Sequence, residues 1–523
     1  MNFKRLLAFV LCSLMLLSAV ACGKSDDTPV DTTAAAQGGT SASAEDTTSA
    51  APAETGPALD KWGREIVEDT VPRDLNFGGK ALKILARSDS KDRFRKDFYA
   101  PELNGEVLND AVYNRNALVA ERLNITYQVR EEVGSYDSFN SYANIITTSY
   151  QAGTHEFDLV GTYSLYGAQY ATQGYFANVL QLQQDHYLNL DQVWWNQTLR
   201  DDLTIAGKLY MVVGDIQSTT LTRMMAIFFN KKTVGEVYGD LDLYSVVNDG
   251  KWTMDYLTQL ISESWQDLNG DGKADASDFY GLVSVAPSES YEAISAGMAI
   301  QMMQKNDQGN WMLTTNTELL VDKVQKAVNL YWAGNNATRL YAVATMDDCI
   351  KKLAEDEAHF LLLTVDKAME DILGNMKSDY GILPLPKYNE EQEMYHTIPQ
   401  DSFNMIHVMG DVEDPAMVTA ALELMCAESY KSITPELFNV MLKYRYMRDD
   451  ASGQMLDHLR AGLRMDFAVI NTRSLQGVGQ WFRSQVNGSK DNAANSAASS
   501  LKAQTRLWEK ALEKLIKTYE NLD

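Results

Sequence analysis

Cysteine is scarce in this 523-residue chain, which contains four. No two of them form a CxxC motif or stand in a cluster with histidine, so no zinc site is visible. Cys349 and Cys426 are far apart in the sequence. The sequence favours two buried free thiols at these positions over a disulfide bond.

Basic residues are outnumbered by acidic residues. The chain has 46 Lys and Arg against 71 Asp and Glu, for a formal net charge of −25. Nucleic-acid binding needs a basic footprint, and docking on anionic lipid by charge needs one as well. The charge balance therefore argues against both classes, and it is typical of a protein that stays soluble outside the cell.

Catalytic signatures are missing. The chain has no GxSxG nucleophile elbow, no HExxH zinc motif and no GxxxxGK[ST] phosphate loop. Its six histidines are scattered, and no two have the spacing of paired metal ligands. These absences favour a binding protein over an enzyme. A pair of carboxylates for glycoside hydrolysis stays open, because such a pair meets only in the fold.

The start of the chain carries a localisation signal. Two basic residues precede an uncharged apolar run at 6–20, and small residues then lead into Cys22. This layout predicts a signal peptide at 1–21, and it resembles a bacterial lipobox in which Cys22 accepts the lipid. Residues 22–58 are rich in Ser, Thr, Ala and Gly, which predicts a disordered tether. We expect a protein that is lipid-anchored on the extracellular face of the cell membrane.

Strand and helix patterns alternate after the tether. Residues 81–87, 124–130 and 157–162 have the pattern of strands, and the segments between them have helical spacing. The order β-α-β-α-β predicts an α/β layer with a mostly parallel sheet.

An acidic loop at 267–278 has the spacing of a calcium loop. Oxygen-bearing side chains stand at loop positions 1, 3, 5, 9 and 12, with Gly272 at position 6 for the sharp turn. The alternative is a solvated loop without metal. The calcium interpretation predicts a structural ion held by the following residues: Asp267, Asn269, Asp271, Lys273 (through its carbonyl), Asp275 and Asp278.

Several aromatic and polar residues stand close to predicted strand ends. In open α/β sheets, ligands bind beyond the carboxyl ends of the strands. Flat aromatic faces suit sugar rings, and polar side chains suit sugar hydroxyls. Each of these aromatics, taken alone, is more often part of a core. The candidate ligand-binding residues are Tyr163, Tyr166, Trp194, Trp195, Asp366 and Trp481.

The order of several short motifs resembles that of a known family. The motifs are LNDAVYNR at 108–115, FDLV at 157–160, GYFANVL at 174–180, GKLY at 207–210, FFNK at 228–231 and GILPLPKY at 381–388. Together with the signal, lipobox and tether they resemble the extracellular solute-binding proteins of bacterial ABC transporters. The resemblance is to family 1, the maltose-binding-like group.

The resemblance implies a two-lobed periplasmic-binding-protein-like fold of type II, in which each lobe is a mostly parallel sheet flanked by helices. The first lobe would comprise 59–225 and 402–445. The second would comprise 226–401 and 446–523, and a hinge would join the two. Ligand would bind in the cleft between the lobes, and the closed form would dock on a membrane permease.

The resemblance implies capture of a carbohydrate, in the form of an oligosaccharide, by a monomeric protein that has no catalytic activity and no cofactor other than calcium. Two alternatives stay open. One is a surface-anchored polysaccharide hydrolase, and the other is a carbohydrate-binding lipoprotein that takes no part in transport.

Overall fold

The computed structural model describes residues 58–523 except for 62, 90–91, 285–286, 315, 338–344, 489–492 and 523. The predicted signal peptide, the lipidation residue Cys22 and all but the last residue of the tether lie outside the described residues. Among the described helices, none has the length and apolar character needed to cross a bilayer.

Ten strands are present in the described part of the chain. They are β1 (Lys80–Ser88), β2 (Ile125–Val133), β3 (Leu159–Tyr163), β4 (Met225–Asn230), β5 (Tyr280–Ser284), β6 (Met303–Lys305), β7 (Trp311–Leu313), β8 (Ala358–Thr364), β9 (Tyr380–Leu383) and β10 (Asn404–Val408).

Helices flank these strands. The α-helices are Arg93–Lys96, Val107–Leu123, Phe139–Ala152, Ser164–Ala171, Val179–Asp185, Gln197–Leu203, Ser218–Thr222, Lys231–Tyr238, Leu243–Asn248, Met254–Leu260, Pro287–Gly297, Thr317–Trp332, Met346–Ala354, Asp371–Gly374, Pro415–Glu428, Asp450–Ala461, Phe467–Ile470, Trp481–Gly488 and Ala493–Glu520. 3₁₀ turns lie at Val365–Met369 and Val478–Gln480, and π-helical turns lie at Ser429–Ile433 and Glu436–Tyr446.

The first large sheet has the strand order β10-β3-β1-β2. Strands β1 and β2 pair in parallel from Lys80 opposite Ile125 to Ser88 opposite Val133, and β3 is parallel to β1 on its other side. The β-α-β-α-β unit predicted from the sequence is therefore present. Strand β10 returns from a distant part of the chain and pairs antiparallel with β3.

The second large sheet has the order β5-β8-β4-β9. Strand β5 is parallel to β8, whereas β4 is antiparallel to both β8 and β9. This sheet is mixed, which corrects the expectation of a mostly parallel sheet in the second lobe. The reason is that β4 brings the chain in from the first lobe, and it therefore runs antiparallel to β8 and β9. The two-lobed α/β class itself is confirmed.

Three chain segments lie side by side between the two sheets and form the hinge. The amide of Met225, where the chain enters β4, donates to the carbonyl of Ile398 at 2.9 Å. Thr397 donates to Gly462 and accepts from Arg464, each at 3.0 Å. The segment that returns to the first sheet therefore runs between the other two. The lobe boundaries themselves stay predictions.

The last helix, Ala493–Glu520, packs along helix Thr317–Trp332 of the second sheet's flank. Its far end meets the first sheet's side, where the ring of Tyr519 stands edge-on to that of Tyr210 at 5.4 Å between centroids. The Lys208 ammonium donates to the Glu520 carbonyl at 3.3 Å. One helix thus contacts elements that flank both sheets.

Cys349 and Cys426 are both buried and unpaired, which agrees with the prediction of free thiols.

His407 on β10 makes stability depend on pH. Its ring nitrogens meet Thr162 Oγ1 at 2.8 Å and the Tyr210 carbonyl at 2.7 Å in a fully buried site. Burial lowers the pKa of His407 to about 3. Because this pKa is below that of the unfolded chain, the contribution to stability is complete above about pH 6.5 and is lost as pH falls toward 3.

We therefore expect His407→Gln to flatten the acid limb of a stability–pH curve. Between pH 6.5 and 4.5 the variant should lose about 2–3 kcal/mol less unfolding free energy than the parent. Urea unfolding at several pH values measures this difference. His186→Gln, at an exposed position, is the control. Parallel curves for parent and His407→Gln would contradict the assignment.

Candidate functional site

A pocket lies between the lobes, against the hinge. Ser164 and Leu165 of the helix that follows β3 form one wall, and Glu292 and Arg483 lie on another. Asp401, in the hinge segment just before β10, lies between them. The space between these residues, counted together with the open mouth of the pocket, is about 720 Å³.

Asp401 is the central acid of this pocket. Its Oδ1 accepts from the Tyr163 hydroxyl at 2.6 Å and from Gln400 Nε2 at 3.1 Å. Burial raises the pKa of Asp401 above its ordinary value. Its Oδ2 has no hydrogen-bond partner among the described residues, so this oxygen is free to accept a donor from a ligand.

Two glutamates of helix Pro287–Gly297 stand beside Asp401. Glu289 Oε1 accepts from Gln400 Nε2 at 2.9 Å, and Glu292 Oε1 accepts from Arg483 at 2.8 Å. Burial, followed by the charge of Asp401, raises the pKa of Glu292 to about 8. Burial raises the pKa of Glu289 as well. Three carboxyl groups are therefore close together here, and two of them, Glu292 and Asp401, line the pocket.

Arginines join this acid cluster to the rest of the cleft. Arg223, just before β4, donates to the Gln400 side chain and also contacts Asp366 Oδ2 at 3.3 Å. Arg93, which follows β1 in the first sheet, reaches the same Asp366 oxygen at 3.4 Å. Asp366 stands two residues after β8 of the second sheet, so this ion pair links the ends of strands from the two sheets.

Arg87 fixes the hinge segment that carries Asp401. This β1 residue is 1 % exposed, and its guanidinium donates to the carbonyls of Gly134 and Ser402, each at 2.7 Å. It also reaches Asn404 Oδ1 at 3.2 Å. A buried arginine with several acceptors holds this backbone in one position, because releasing any carbonyl would leave it unpaired.

An aromatic cluster, which we call the aromatic wall, stands beside Asp401 and outside the lining of the pocket. The rings of Tyr163 and Tyr166 are 5.4 Å apart, and Phe139 stacks on Tyr166 at 4.2 Å with an interplanar angle of 8°. Arg473 lies over the Tyr166 ring at 4.1 Å and donates to its hydroxyl at 2.9 Å. Tyr166 is fully buried, so it supports the wall and presents no open face.

Comparisons with known proteins address the fold. No family model matches the chain, and no curated protein matches its sequence. Solved structures do match. The sugar-binding protein MalE from Xanthomonas citri has a TM-score of 0.54 and 12% identity, covering 84% of this chain and all of that one. A cyclo/maltodextrin-binding protein complexed with maltotetraose has a TM-score of 0.51 and 13% identity, covering 85% of this chain and 98% of that one.

This chain has the solute-binding fold. UgpB from Mycobacterium tuberculosis, in complex with glycerophosphocholine, also matches, with a TM-score of 0.50 and 14% identity over 77% of this chain and 95% of that one. The predicted resemblance is thus confirmed at the level of fold. Because proteins with this fold hold different ligands, the ligand of this chain has to be inferred from its own residues.

Within the solute-binding fold, the predicted site residues separate into two groups. Tyr163 donates to Asp401 and packs on Tyr166, and Asp366 pairs with Arg223 and Arg93; all three are near the hinge but outside the lining of the pocket. Trp194 and Trp195 lie elsewhere, in the first lobe, where both indoles donate to Glu423 at 3.0 and 2.9 Å.

Trp481 is also placed away from the pocket. It is 2 % exposed, and its indole donates to Ser500 Oγ at 3.1 Å on the last helix. The structure therefore gives Trp194, Trp195 and Trp481 packing partners, and we leave them out of the proposed ligand site. A residue close to Trp481 in the sequence does line the pocket, namely Arg483, two positions further on.

Sequence reasoning missed the acids and arginines around the hinge. These are Arg223, Glu289, Glu292, Gln400 and Asp401. The available signal at Gln400 and Asp401 was their position shortly before the buried strand β10. Glu289 and Glu292 had no such signal, since acids near a helix start are common.

The acidic loop at 267–278 makes mostly internal contacts. Asp267 accepts from the amides of Gly270 and Gly272 at 2.6 and 2.7 Å. Asp278 is fully buried and accepts from Trp265 Nε1 at 3.2 Å. In the described part of the chain, no three His, Cys, Asp or Glu side chains converge as a metal site would require. A calcium ion would have to replace these backbone contacts, and its presence stays a prediction.

The calcium prediction has a direct test. If the loop binds calcium, adding the ion at 100 times its dissociation constant should raise the unfolding free energy by about 2.7 kcal/mol over chelated protein. The double variant Asp267→Ala, Asp271→Ala should show no such difference in a thermal melt. Asp249→Ala, in another exposed turn, is the control. Identical melts of the parent with calcium and with chelator would eliminate the calcium site.

Proposed function

We propose that the protein captures a carbohydrate between its two lobes and delivers it to the permease of an ABC importer. The observation that carries this proposal is the set of acids and arginines that line one pocket between the lobes, which are Glu292, Asp401, Arg464, Asp466 and Arg483. Carboxylates and guanidinium groups are suited to the many hydroxyls of a sugar, because together they offer acceptors and donors in fixed positions.

Two of the matching structures support the same substrate class. One is complexed with maltotetraose, and another matching protein is a sugar-binding MalE. A neutral oligosaccharide suits a pocket in which acids and arginines largely pair with one another. In such a site the ligand hydroxyls would pair with protein donors and acceptors whose positions are already fixed.

A second function, polysaccharide hydrolysis, has one observation in its favour. Glu292 has a raised pKa and stands near two further carboxyl groups, and glycosidases use a protonated acid beside a carboxylate. We favour binding because Glu292 Oε1 is already engaged by Arg483, which leaves the acid poorly placed to protonate a glycosidic oxygen.

An oligosaccharide panel tests the proposal. The full-length protein is incubated with malto-, galacto- and xylo-oligosaccharides, the melting temperature is measured and the sugars are then analysed by chromatography. A ligand-dependent rise in melting temperature with unchanged sugars is the expected result. Released shorter sugars would establish the hydrolase instead. If no sugar raises the melting temperature, the carbohydrate class is wrong.

We further propose that Cys22 carries the lipid anchor. A tether of this composition and length spans roughly 30–36 Å, which lifts the folded part off the membrane and keeps it within reach of a permease. Cys22→Ser should move the protein from the membrane fraction to the medium without changing ligand affinity. The fractions can be compared by immunoblot, with Cys349→Ser as the control. A variant that stays membrane-bound would contradict the anchor.

The solute-binding role would also be tested through its partner. We propose that the monomeric, ligand-loaded protein docks on permease subunits, so cross-linking in membranes should capture the permease only when the sugar is present. Capture that is independent of sugar would favour a lipoprotein that takes no part in transport.

A further inference from the structure

A second groove lies outside the interlobe pocket, along the last helix. Gln169, Gln173 and Arg473 form one side, and Lys510 and Lys514 form the other. We call this region the lysine groove, and its volume is about 1140 Å³ including its open side. It shares no lining residue with the interlobe pocket.

The charge of the lysine groove is opposite to that of the chain. Its described lining residues include three cations and no carboxylate, although the whole chain has a net charge of −25. Helical spacing brings Leu507, Lys510 and Lys514 to one face, while Glu509 and Glu513 do not line the groove.

The two lysines have no internal partner. Neither Lys510 nor Lys514 makes an ion pair within the described part of the chain. They are four residues apart on one helix face, a spacing at which like charges repel. A bound anion would relieve this repulsion, so the groove is electrostatically complementary to a negatively charged ligand.

The lysine groove continues into an adjoining depression that is partly aromatic. The two share Gln169 and Gln173, and the depression is also lined by Phe139, Tyr170 and Tyr175. Its volume is about 580 Å³ including its open side. Amide side chains beside aromatic rings are suited to a ring that has an apolar face and hydroxyl edges.

Gln169 places a further requirement on the ligand of the groove. Its side chain lines the groove, while its Oε1 is buried and has no hydrogen-bond partner among the described residues. A buried acceptor that lacks a partner costs free energy, and a turn of this side chain toward the groove would let a hydroxyl or amide donor of a ligand remove that cost. A sulfate ion has no such donor, whereas a sugar has several.

From these features we infer that the lysine groove binds an acidic oligosaccharide, a chain of sugars that carry carboxylates. The carboxylates would contact Arg473, Lys510 and Lys514, a hydroxyl would donate to Gln169 Oε1, and the sugar faces would pack in the aromatic depression. This site is separate from the interlobe pocket and does not depend on which sugar that pocket holds.

Calorimetric titration of the full-length protein with oligogalacturonate tests the inference. We expect saturable binding that weakens as salt is added, because exposed charge pairs are screened. The double charge reversal Lys510→Glu, Lys514→Glu should weaken binding about tenfold. The matched control is Lys377→Glu, Lys502→Glu, which makes the same change of net charge at exposed lysines outside the groove. It should bind as the parent does.

The other outcomes overturn the inference. Equal weakening in both double variants would mean that overall charge, and not the groove, attracts the ligand. Equal binding of poly-glutamate would mean that the groove takes acidic peptides. Loss of oligogalacturonate binding in the pocket variant Asp401→Asn would place the ligand between the lobes. If a neutral oligosaccharide also binds, and Lys510→Glu, Lys514→Glu weakens its binding to the same extent, the groove does not require an acidic ligand.

Discussion

Replacing Glu423 by alanine is expected to lower the free energy of unfolding by about 3–5 kcal/mol, the range for removing one member of a buried polar cluster. Glu423 is fully buried on helix Pro415–Glu428. It accepts from the indoles of Trp194 and Trp195 and from the amide of Asn189 at 3.0 Å. The substitution would leave three buried donors without an acceptor and open a cavity beside two large rings.

Guanidinium unfolding followed by tryptophan fluorescence measures this loss. Glu413→Ala, at an exposed position just before the same helix, is the matched control and should change stability by less than about 0.5 kcal/mol. A loss below 1 kcal/mol for Glu423→Ala would show that water replaces the carboxylate at no great cost. The three contacts would then not hold the segment around Trp194.

The second large effect is expected on ligand affinity. Asp401→Asn should weaken binding of the sugar identified by the panel about 100-fold, since a site built to accept from a hydroxyl discriminates strongly when that acceptor changes. Asp401 lines the pocket and its Oδ2 has no hydrogen-bond partner among the described residues, so an amide nitrogen in place of this oxygen would oppose a hydroxyl donor. Isothermal titration measures the affinity of the folded variant.

Two controls separate a local effect from a general one. Asp379→Asn, an exposed aspartate far from the hinge, should bind as the parent does. Tyr163→Phe removes only the hydroxyl that Asp401 Oδ1 accepts, so it should cause a smaller loss than Asp401→Asn. Affinity of Asp401→Asn within threefold of the parent would remove Asp401 from the ligand site.

Local patterns predicted the first lobe well. The strands β1, β2 and β3 alternate with helices in sequence, so periodicity alone indicates the parallel sheet. The second sheet was harder, because the direction of β4 depends on how the chain enters the lobe. Nothing in the residues Met225–Asn230 records that direction.

The site was only partly predictable for a related reason. Tyr163 is the last residue of a buried strand and Asp366 stands two residues after another, and such positions are visible in sequence. Asp401 and Glu292 meet only through the hinge and the packing of a distant helix. Trp194 and Trp195 were misleading because adjacent tryptophans look like ligand contacts, whereas a single buried acid satisfies both indoles.

The last helix makes the two lobes mechanically dependent. A helix of 28 residues is about 42 Å long at 1.5 Å per residue, and it runs from the flank of one sheet to Tyr210 beside the other. It therefore connects the two lobes, and any large rotation of one lobe relative to the other has to break the contacts at Lys208 and Tyr210. Ligand exchange would then be limited by release of the chain's own end as well as by the hinge.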